Sequence, residues 1–432
     1  MMSPSEYGQV TLYNSWLSLI TIFATLSLYA GVFNSALLKF EDRQRQLTSS
    51  MLILTGASWL TAWLTIAVSI YFFGNYTGLA VGLLPFMAFS ILANSAYMFW
   101  RAQERFYYRY QAVTWVSIVT SICGLGAAVF FIYWDLIPGH KAEIRVVAAA
   151  TPMTLVGLFL FYRELRLGGF NVTPEHFRYG LAMGLPLIPH YIAQGFVQNF
   201  DRFALKSFAG SADVGIYGLA VAMASSLTLF WTAINTTWVP WLLRKYRDRM
   251  IPAIRERADQ LITAVALLAI AAIFVSPELI RALAPESYSY ASFLMPLLFS
   301  ASLLQFIQSI YLTIQFQEKR VWAITCTSLT SALTGIVLNI TLIPTIGAVA
   351  VSISLLLSQA LQVALQYAFC PAAGRGVVTE RRALILSCLV AVLGVLQMSL
   401  GPRYALWRYL ASASAIAYLL AIAIPVLQGR TK

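Results

Sequence analysis

A set of amide and aromatic side chains, with one histidine, stands inside otherwise apolar stretches of this 432-residue chain: Asn14, Trp16, Asn94, His190, Gln194, Gln198, Asn199, Trp231, Asn235, Gln305, Gln308 and Gln315. An amide donates and accepts at once, and an aromatic ring offers an apolar face, so the set suits hydroxyl-rich ligands such as sugars. Gln194 and Gln198 are four apart and Gln305 and Gln308 three apart, so each pair shares one face of a helix and such faces can line a hydrated cavity. The alternative use is structural: amides in membranes hydrogen-bond neighbouring helices, and tryptophans belong to interfacial belts. His190 stands one turn before Gln194 and just after Pro186-x-x-Pro189, a pair that loosens helical backbone, which leaves it either a gating or ligand group or a packing histidine.

The acidic residues are placed differently. All 17 lie in loops or at the ends of apolar segments, Asp201 and Asp259 being nearest the interior, with Asp135 at another segment end. Ion-coupled exporters are expected to use carboxylates within the membrane, because such groups are costly there and are kept for function. No catalytic carboxylate pair, Ser/His/Asp set or phosphate-cradling glycine loop is present in the sequence, so neither an enzyme nor a cofactor is indicated. The four cysteines, Cys123, Cys326, Cys370 and Cys388, have no CxxC spacing and read as small core residues.

These side chains must be carried by membrane helices. Hydrophobic residues make up 59% of the chain and charged residues 11%, against about 25% charged in soluble proteins. Apolar blocks of about 20 residues, the length that spans hydrocarbon, recur throughout and predict about thirteen spans. They are 8–34, 49–73, 77–100, 111–133, 144–162, 179–200, 214–241, 259–276, 289–315, 321–343, 345–369, 383–400 and 406–427. The net charge of +12 sits in short loops and points to an anionic lipid surface rather than to nucleic acid. Alternate loops hold 22 of the 29 Lys and Arg residues, which assigns that side, and the C-terminus, to the cytoplasm. The run Arg244 to Arg257 reads as a solvated, lipid-contacting amphipathic segment.

The chain also repeats itself. Ser5-Glu6-Tyr7-Gly8 matches Ala212-Asp213-Val214-Gly215, Leu37 to Arg43 matches Leu243 to Arg249, Gln103-Glu104-Arg105 matches Gln317-Glu318-Lys319, and Leu136-Ile137-Pro138 matches Leu342-Ile343-Pro344. An even number of spans separates the copies, so the repeat is parallel. The second copy has a span, Tyr179 to Phe200, ahead of the matching loop where the first has none. The expectation is that this chain lacks the first of fourteen helices.

Leu185-Pro186-Leu187-Ile188-Pro189-His190, Asp201-Arg202 with Gly210 to Ala220, Thr237-Trp238-Val239-Pro240-Trp241 and Ser3 to Gly8 together resemble the polysaccharide transporter family, the lipid-linked oligosaccharide flippases of O-antigen and capsule assembly. The resemblance implies an all-α polytopic membrane protein: an N-terminal lobe (1–168), a C-terminal lobe (169–372) and a C-terminal helix pair (373–432), rocking by alternating access at the bacterial plasma membrane. Its cargo would be an undecaprenyl-pyrophosphate-linked sugar unit, with the polysaccharide polymerase and chain-length machinery as further partners. A pyrophosphate needs a cation, and arginine binds phosphate oxygens bidentately, which nominates Arg202 and Arg101. Arg202 also follows Asp201, where an ion pair would anchor a helix end, and arginines at cytoplasmic span ends serve topology. The amides and His190 are the matching candidates for the sugar. The competing readings are a drug or cation antiporter of the same superfamily, against which the placement of the acids weighs, and a membrane glycan polymerase, which would need a large outer loop.

Overall fold

The computed structural model describes residues 2–30, 32–75, 77–107, 109–134, 139–170, 172–185, 188–318, 320–399 and 407–417, with some side chains inside these ranges excepted. Their secondary structure is helical: α1 Pro4–Thr25, α2 Val32–Lys39, α3 Gln44–Phe73, α4 Leu83–Phe106, α5 Tyr110–Tyr133, α6 Lys141–Leu167, α7 Pro174–Gly184, α8 Ile188–Phe208, α9 Ser211–Arg247, α10 Ile251–Leu283, α11 Ala291–Gln317, α12 Val321–Ile346, α13 Ala348–Phe369, α14 Ala372–Arg375 and α15 Glu380–Ser399. Residues 407–417 are helical as well. Ten of these helices are long and apolar enough to cross a membrane, and the chain is an all-α polytopic membrane protein. Of the other three sequence-predicted spans, two fall on α1–α2 and on α7–α8, and the last, 406–427, is described only over 407–417, its remainder lying outside the described residues. The span expected at 77–100 begins later and ends later, as α4.

Local sequence explains the helix starts. Ser3 caps α1: its hydroxyl accepts from the Glu6 N–H at 3.3 Å, and the Glu6 carboxylate accepts from the Ser3 N–H at 2.6 Å, with Pro4 in the first turn. This reciprocal arrangement satisfies two backbone donors that the helix leaves open. Proline likewise opens α7 and α10.

The repeat is visible in three dimensions. Helices α1, α3, α4, α5 and α6 start at residues 4, 44, 83, 110 and 141, and α9, α10, α11, α12 and α13 start 207 to 211 residues later. The same pairs pack within each copy: α4 on α6 and α11 on α13, α5 on α6 and α12 on α13, α1 on α4 and α9 on α11. Burial repeats too. The central α4 and α11 are 67% and 72% buried over their apolar windows, and the outer α5 and α12 only 17% each, leaving Trp115, Ile122, Val129, Trp322, Leu333 and Val337 exposed. Apolar side chains that water would reject are suited to lipid.

One difference between the copies has a direct structural cause. Helix α10 is 61% buried where its counterpart α3 is 22%, because α15 packs on α10 and α11. Asp259 of α10 accepts from the Thr379 N–H at 3.1 Å and from its hydroxyl at 2.5 Å, just ahead of α15. Arg255 donates to the Gly376 carbonyl at 2.6 Å. Farther along α10, Glu278 pairs with the buried Arg408, so the C-terminal helices are held to this unit at both ends.

The chain divides into two compact units, Met1–Phe203 and Ala204–Lys432. Packing therefore places 169–203 with the first unit, whereas the lobe boundary implied by the resemblance lies at 168/169. Helix α7 rests on α2 and α3: Phe177, Tyr179 and Leu181 pack against a core that includes Phe33, Leu37, Met51 and Phe99. His176, buried at the start of α7, reaches the Ser50 hydroxyl at 3.2 Å and meets the Phe40 ring edge-on at 4.7 Å.

The second difference lies in the first helix of each copy. Helix α9 runs 37 residues without interruption. Its counterpart breaks after Thr25: Leu26 and Ser27 take φ of +49° and +47°, a 3₁₀ turn covers Leu28–Ala30, and α2 follows. Left-handed backbone costs an L-residue roughly 1–2 kcal/mol, so the break is imposed by its surroundings, Thr25, Ser27 and Leu28 all being buried.

Candidate functional site

The break opens onto a cavity of about 520 Å³ inside the first unit, a size typical of small-molecule sites. Helix α1 contributes Asn14, Leu17, Ser18, Thr21 and Ile22, one face at intervals of three and four residues. The break adds Ser27 and Tyr29, α4 adds Ser90, Ile91 and Asn94, α6 adds Ala150, Met153 and Thr154, and α8 adds Tyr191 and Gly195. Amide, hydroxyl and phenol groups are set into a wall whose larger surface is apolar, and none of its described residues is charged.

Close helix contact shapes this wall. A Cβ on Gly157 of α6 would lie 2.3 Å from the Ala93 carbonyl oxygen of α4, so only glycine permits the approach that brings the two helices together. One turn away on both helices, the Ser90 and Thr154 hydroxyls are 3.1 Å apart. Thr154 also donates to the Ala150 carbonyl at 2.9 Å, and Thr21 to Leu17 at 2.6 Å. Asn14 and Asn94 differ from these hydroxyls: neither amide has a hydrogen-bond partner among the described residues, and both face the cavity.

The sequence-nominated residues thus separate by place. Asn14 and Asn94 are brought together on one cavity. Arg101, half-buried, lies two turns beyond Asn94 on α4 and outside the wall. Arg202 and Asn199 lie farther along α8: the Arg202 guanidinium donates to the Asn199 amide oxygen at 3.4 Å, its backbone N–H donates to Asp201 at 2.9 Å, and the Asn199 amide donates to the Gly195 carbonyl at 2.8 Å. His190, Gln194 and Gln198 are on α8 as well, but their side chains lie outside the described residues, as do Pro186 and Asp135. Trp16 donates to the Thr77 carbonyl at 3.0 Å and meets the Phe203 ring at 5.0 Å.

In the second unit three nominated residues bond helix to helix, while other buried polar atoms there, such as the Trp238 indole nitrogen, have no partner among the described residues. Trp231 donates to the Ser302 hydroxyl at 3.2 Å, Asn235 to Ser309 at 3.2 Å, and the fully buried Gln315 to the Gln366 carbonyl at 2.8 Å. Gln305 and Gln308 are half-buried on α11. The cysteines are unpaired thiols. Cys370 is buried, and burial pushes its pKa up to about 11, which keeps it a neutral, unreactive thiol; Cys123 and Cys388 are exposed rather than core residues.

Several wall residues were not singled out from sequence: Ser18, Thr21, Ser90, Thr154, Tyr29 and Tyr191. The available signal was the spacing of Asn14, Ser18, Thr21 and Thr25, a polar stripe at helical intervals along an apolar segment. The Glu278–Arg408 pair was missed because 130 residues separate its members.

A family model described as "Polysaccharide biosynthesis protein" matches residues 1–245. Among solved structures, the chain is similar to one described as lipid II flippase MurJ in an inward closed conformation, with a TM-score of 0.65 over 98% of this chain and 97% of that chain, at 13% sequence identity. No curated protein matches it.

Proposed function

We propose, from the premise that this chain belongs to the polysaccharide biosynthesis protein family, that it is a flippase for a lipid-linked oligosaccharide in surface polysaccharide assembly. The observation that carries the reading is the likeness in fold to a lipid II flippase across nearly the whole of both chains. The cargo is a polyprenyl-pyrophosphate-linked sugar unit of the undecaprenyl type. It crosses the bacterial plasma membrane by alternating access, with the C-terminus in the cytoplasm, and the product passes to a polymerase and its chain-length machinery. The chain acts as a transporter and not as an enzyme.

The roles divide by chemistry. Arg202 is the cation for the pyrophosphate, because a guanidinium binds phosphate oxygens bidentately and keeps its charge; Arg101 is the second candidate. Asn14, Asn94, His190, Gln194, Gln198, Asn199, Asn235, Gln305 and Gln308 are candidates for hydroxyl and amide groups of the sugars. The acids near the membrane are engaged in structure: Asp259 caps the approach to α15, Glu278 pairs with Arg408, and Glu164 pairs with Arg163 at 2.8 Å. That favours lipid-linked sugar over an ion-coupled drug as cargo.

The test is reconstitution of the full chain into vesicles holding a fluorescent polyprenyl-pyrophosphate disaccharide in one leaflet, with a membrane-impermeant quencher added outside. Transbilayer movement above that of protein-free vesicles is expected, and its loss in Arg202→Ala at equal protein content. Movement no faster than in empty vesicles overturns the function, and unchanged movement in Arg202→Ala overturns the role of that residue.

A further inference from the structure

We infer that the cavity of the first unit is a subsite for an uncharged sugar residue, separate from whatever holds the phosphates. The inference deepens the flippase reading and rests on it for the nature of the cargo. Its ground is the chemistry of the cavity wall, set beside one interface of the second copy of the repeat.

At one interface of the second copy polar groups meet across the helices. Ser302 on α11 lies 3.1 Å from the Thr228 hydroxyl and accepts from Trp231, whose ring packs 6.0 Å from Phe306. At the repeat offset of 207, Thr228 corresponds to Thr21 and Trp231 to Ala24. Thr21 lines the first unit's cavity, and one turn on, where the second copy places an indole, the first has a methyl group. The large side chain that ties α9 to α11 is therefore missing from the first copy. Ala24 itself is fully buried and stands outside the cavity wall; the open space between α1, α4, α6 and α8 adjoins the Asn14 to Ile22 face of α1.

The chemistry of the wall selects the ligand. Asn14 and Asn94 present amides without partners among the described residues, from two different helices. Ser18, Ser27, Ser90 and Thr154 add hydroxyls. An amide can donate to one sugar hydroxyl and accept from its neighbour, and the Tyr29 and Tyr191 rings provide faces for the C–H side of a pyranose. Among the described residues of the wall no cation stands to meet the charge of a phosphate, whose entry carries a heavy desolvation cost. The site suits a neutral hexose or N-acetylhexosamine and rejects the pyrophosphate.

The experiment is saturation-transfer NMR of the full chain in lipid nanodiscs with N-acetylglucosamine, glucose and galactose as probes and inorganic pyrophosphate as competitor. At least one sugar is expected to give transfer that pyrophosphate does not displace. Replacing both amides (Asn14→Leu with Asn94→Leu) should weaken binding about tenfold or more, because sugar hydroxyls left unpaired are strongly selected against. Ser18→Trp, at a position exposed to the cavity, should block entry without disturbing the helix interface, so the test does not hang on one variant folding. Transfer from none of the sugars, displacement by pyrophosphate, or wild-type affinity in both variants overturns the inference. The vesicle assay separates the two readings: variants that lose sugar binding while moving the lipid-linked disaccharide at the wild-type rate remove the subsite from transport and leave the flippase standing.

Discussion

Gly157→Ala tests the helix contact on which the cavity depends. The added Cβ would meet the Ala93 oxygen at 2.3 Å, its carbonyl carbon at 2.5 Å and its Cβ at 2.8 Å, where ordinary contact begins at 3.4 Å. Two of those atoms are backbone within α4, so no side chain can rotate away and the helices must part by about 1 Å. Overpacking of this kind costs about 1–3 kcal/mol. The same movement stretches the Ser90–Thr154 contact beyond hydrogen-bonding range, which adds about 0.6 kcal/mol as measured for interhelical bonds in membranes. The expected loss is therefore about 2–4 kcal/mol, read from reversible denaturant unfolding of the full chain in micelles. Gly126→Ala is the control, since its Cβ meets nothing within 4 Å, and a helical glycine-to-alanine change there should be neutral or stabilising by up to about 1 kcal/mol. If the two variants agree within about 0.5 kcal/mol, the ordinary spread of surface substitutions, the glycine contact does not hold α4 and α6 together.

Three further outcomes are expected. Arg408→Met and Glu278→Gln should each destabilise the full chain by about 2–4 kcal/mol, somewhat below the range for a fully buried pair because Glu278 keeps a quarter of its surface; a double variant recovering most of the loss confirms the pairing, and strict additivity refutes it. Ser27→Gly should stabilise by about 0.5 kcal/mol, the relief of left-handed strain less the added freedom of the unfolded chain, and a loss of stability shows that the Ser27 hydroxyl matters more than its backbone. His176, buried at the start of α7 outside the apolar spans, has its pKa lowered by burial, with Arg43 adding to the effect and Glu175 opposing it. The unfolded chain then binds more protons, so stability is intact above about pH 6.5 and falls as pH drops through that value towards the lower folded pKa; a thermal-shift profile from pH 7.5 to 5 should show this slope, and His176→Asn should flatten it.

How much was legible in the sequence depended on the range of the interaction. Hydropathy blocks and matched loop motifs sufficed for the helices and the repeat, because span length and duplicated charge patterns are local signals. The interruption at Leu26 had no local signal, since neither Gly nor Pro stands at Leu26 or Ser27. Its cause is burial against neighbouring helices. The candidate site was legible as residue types and not as a place. Asn94 and Asn235 look alike in sequence, each an amide within an apolar helix, yet Asn235 finds the Ser309 hydroxyl across the interface while Asn94 faces open space. What separates them is what stands opposite, and that is decided by helix pairing. In a duplicated bundle the shared residues therefore build the frame, and the ligand chemistry is expected where polar groups of one copy face open space. An Ala24→Trp variant tests the packing ahead of the break: Ala24 is fully buried, so an indole there should overpack the interface of α1 and cost about 1–3 kcal/mol, read from denaturant unfolding of the full chain in micelles, and unchanged stability would show that space stands open beside Ala24.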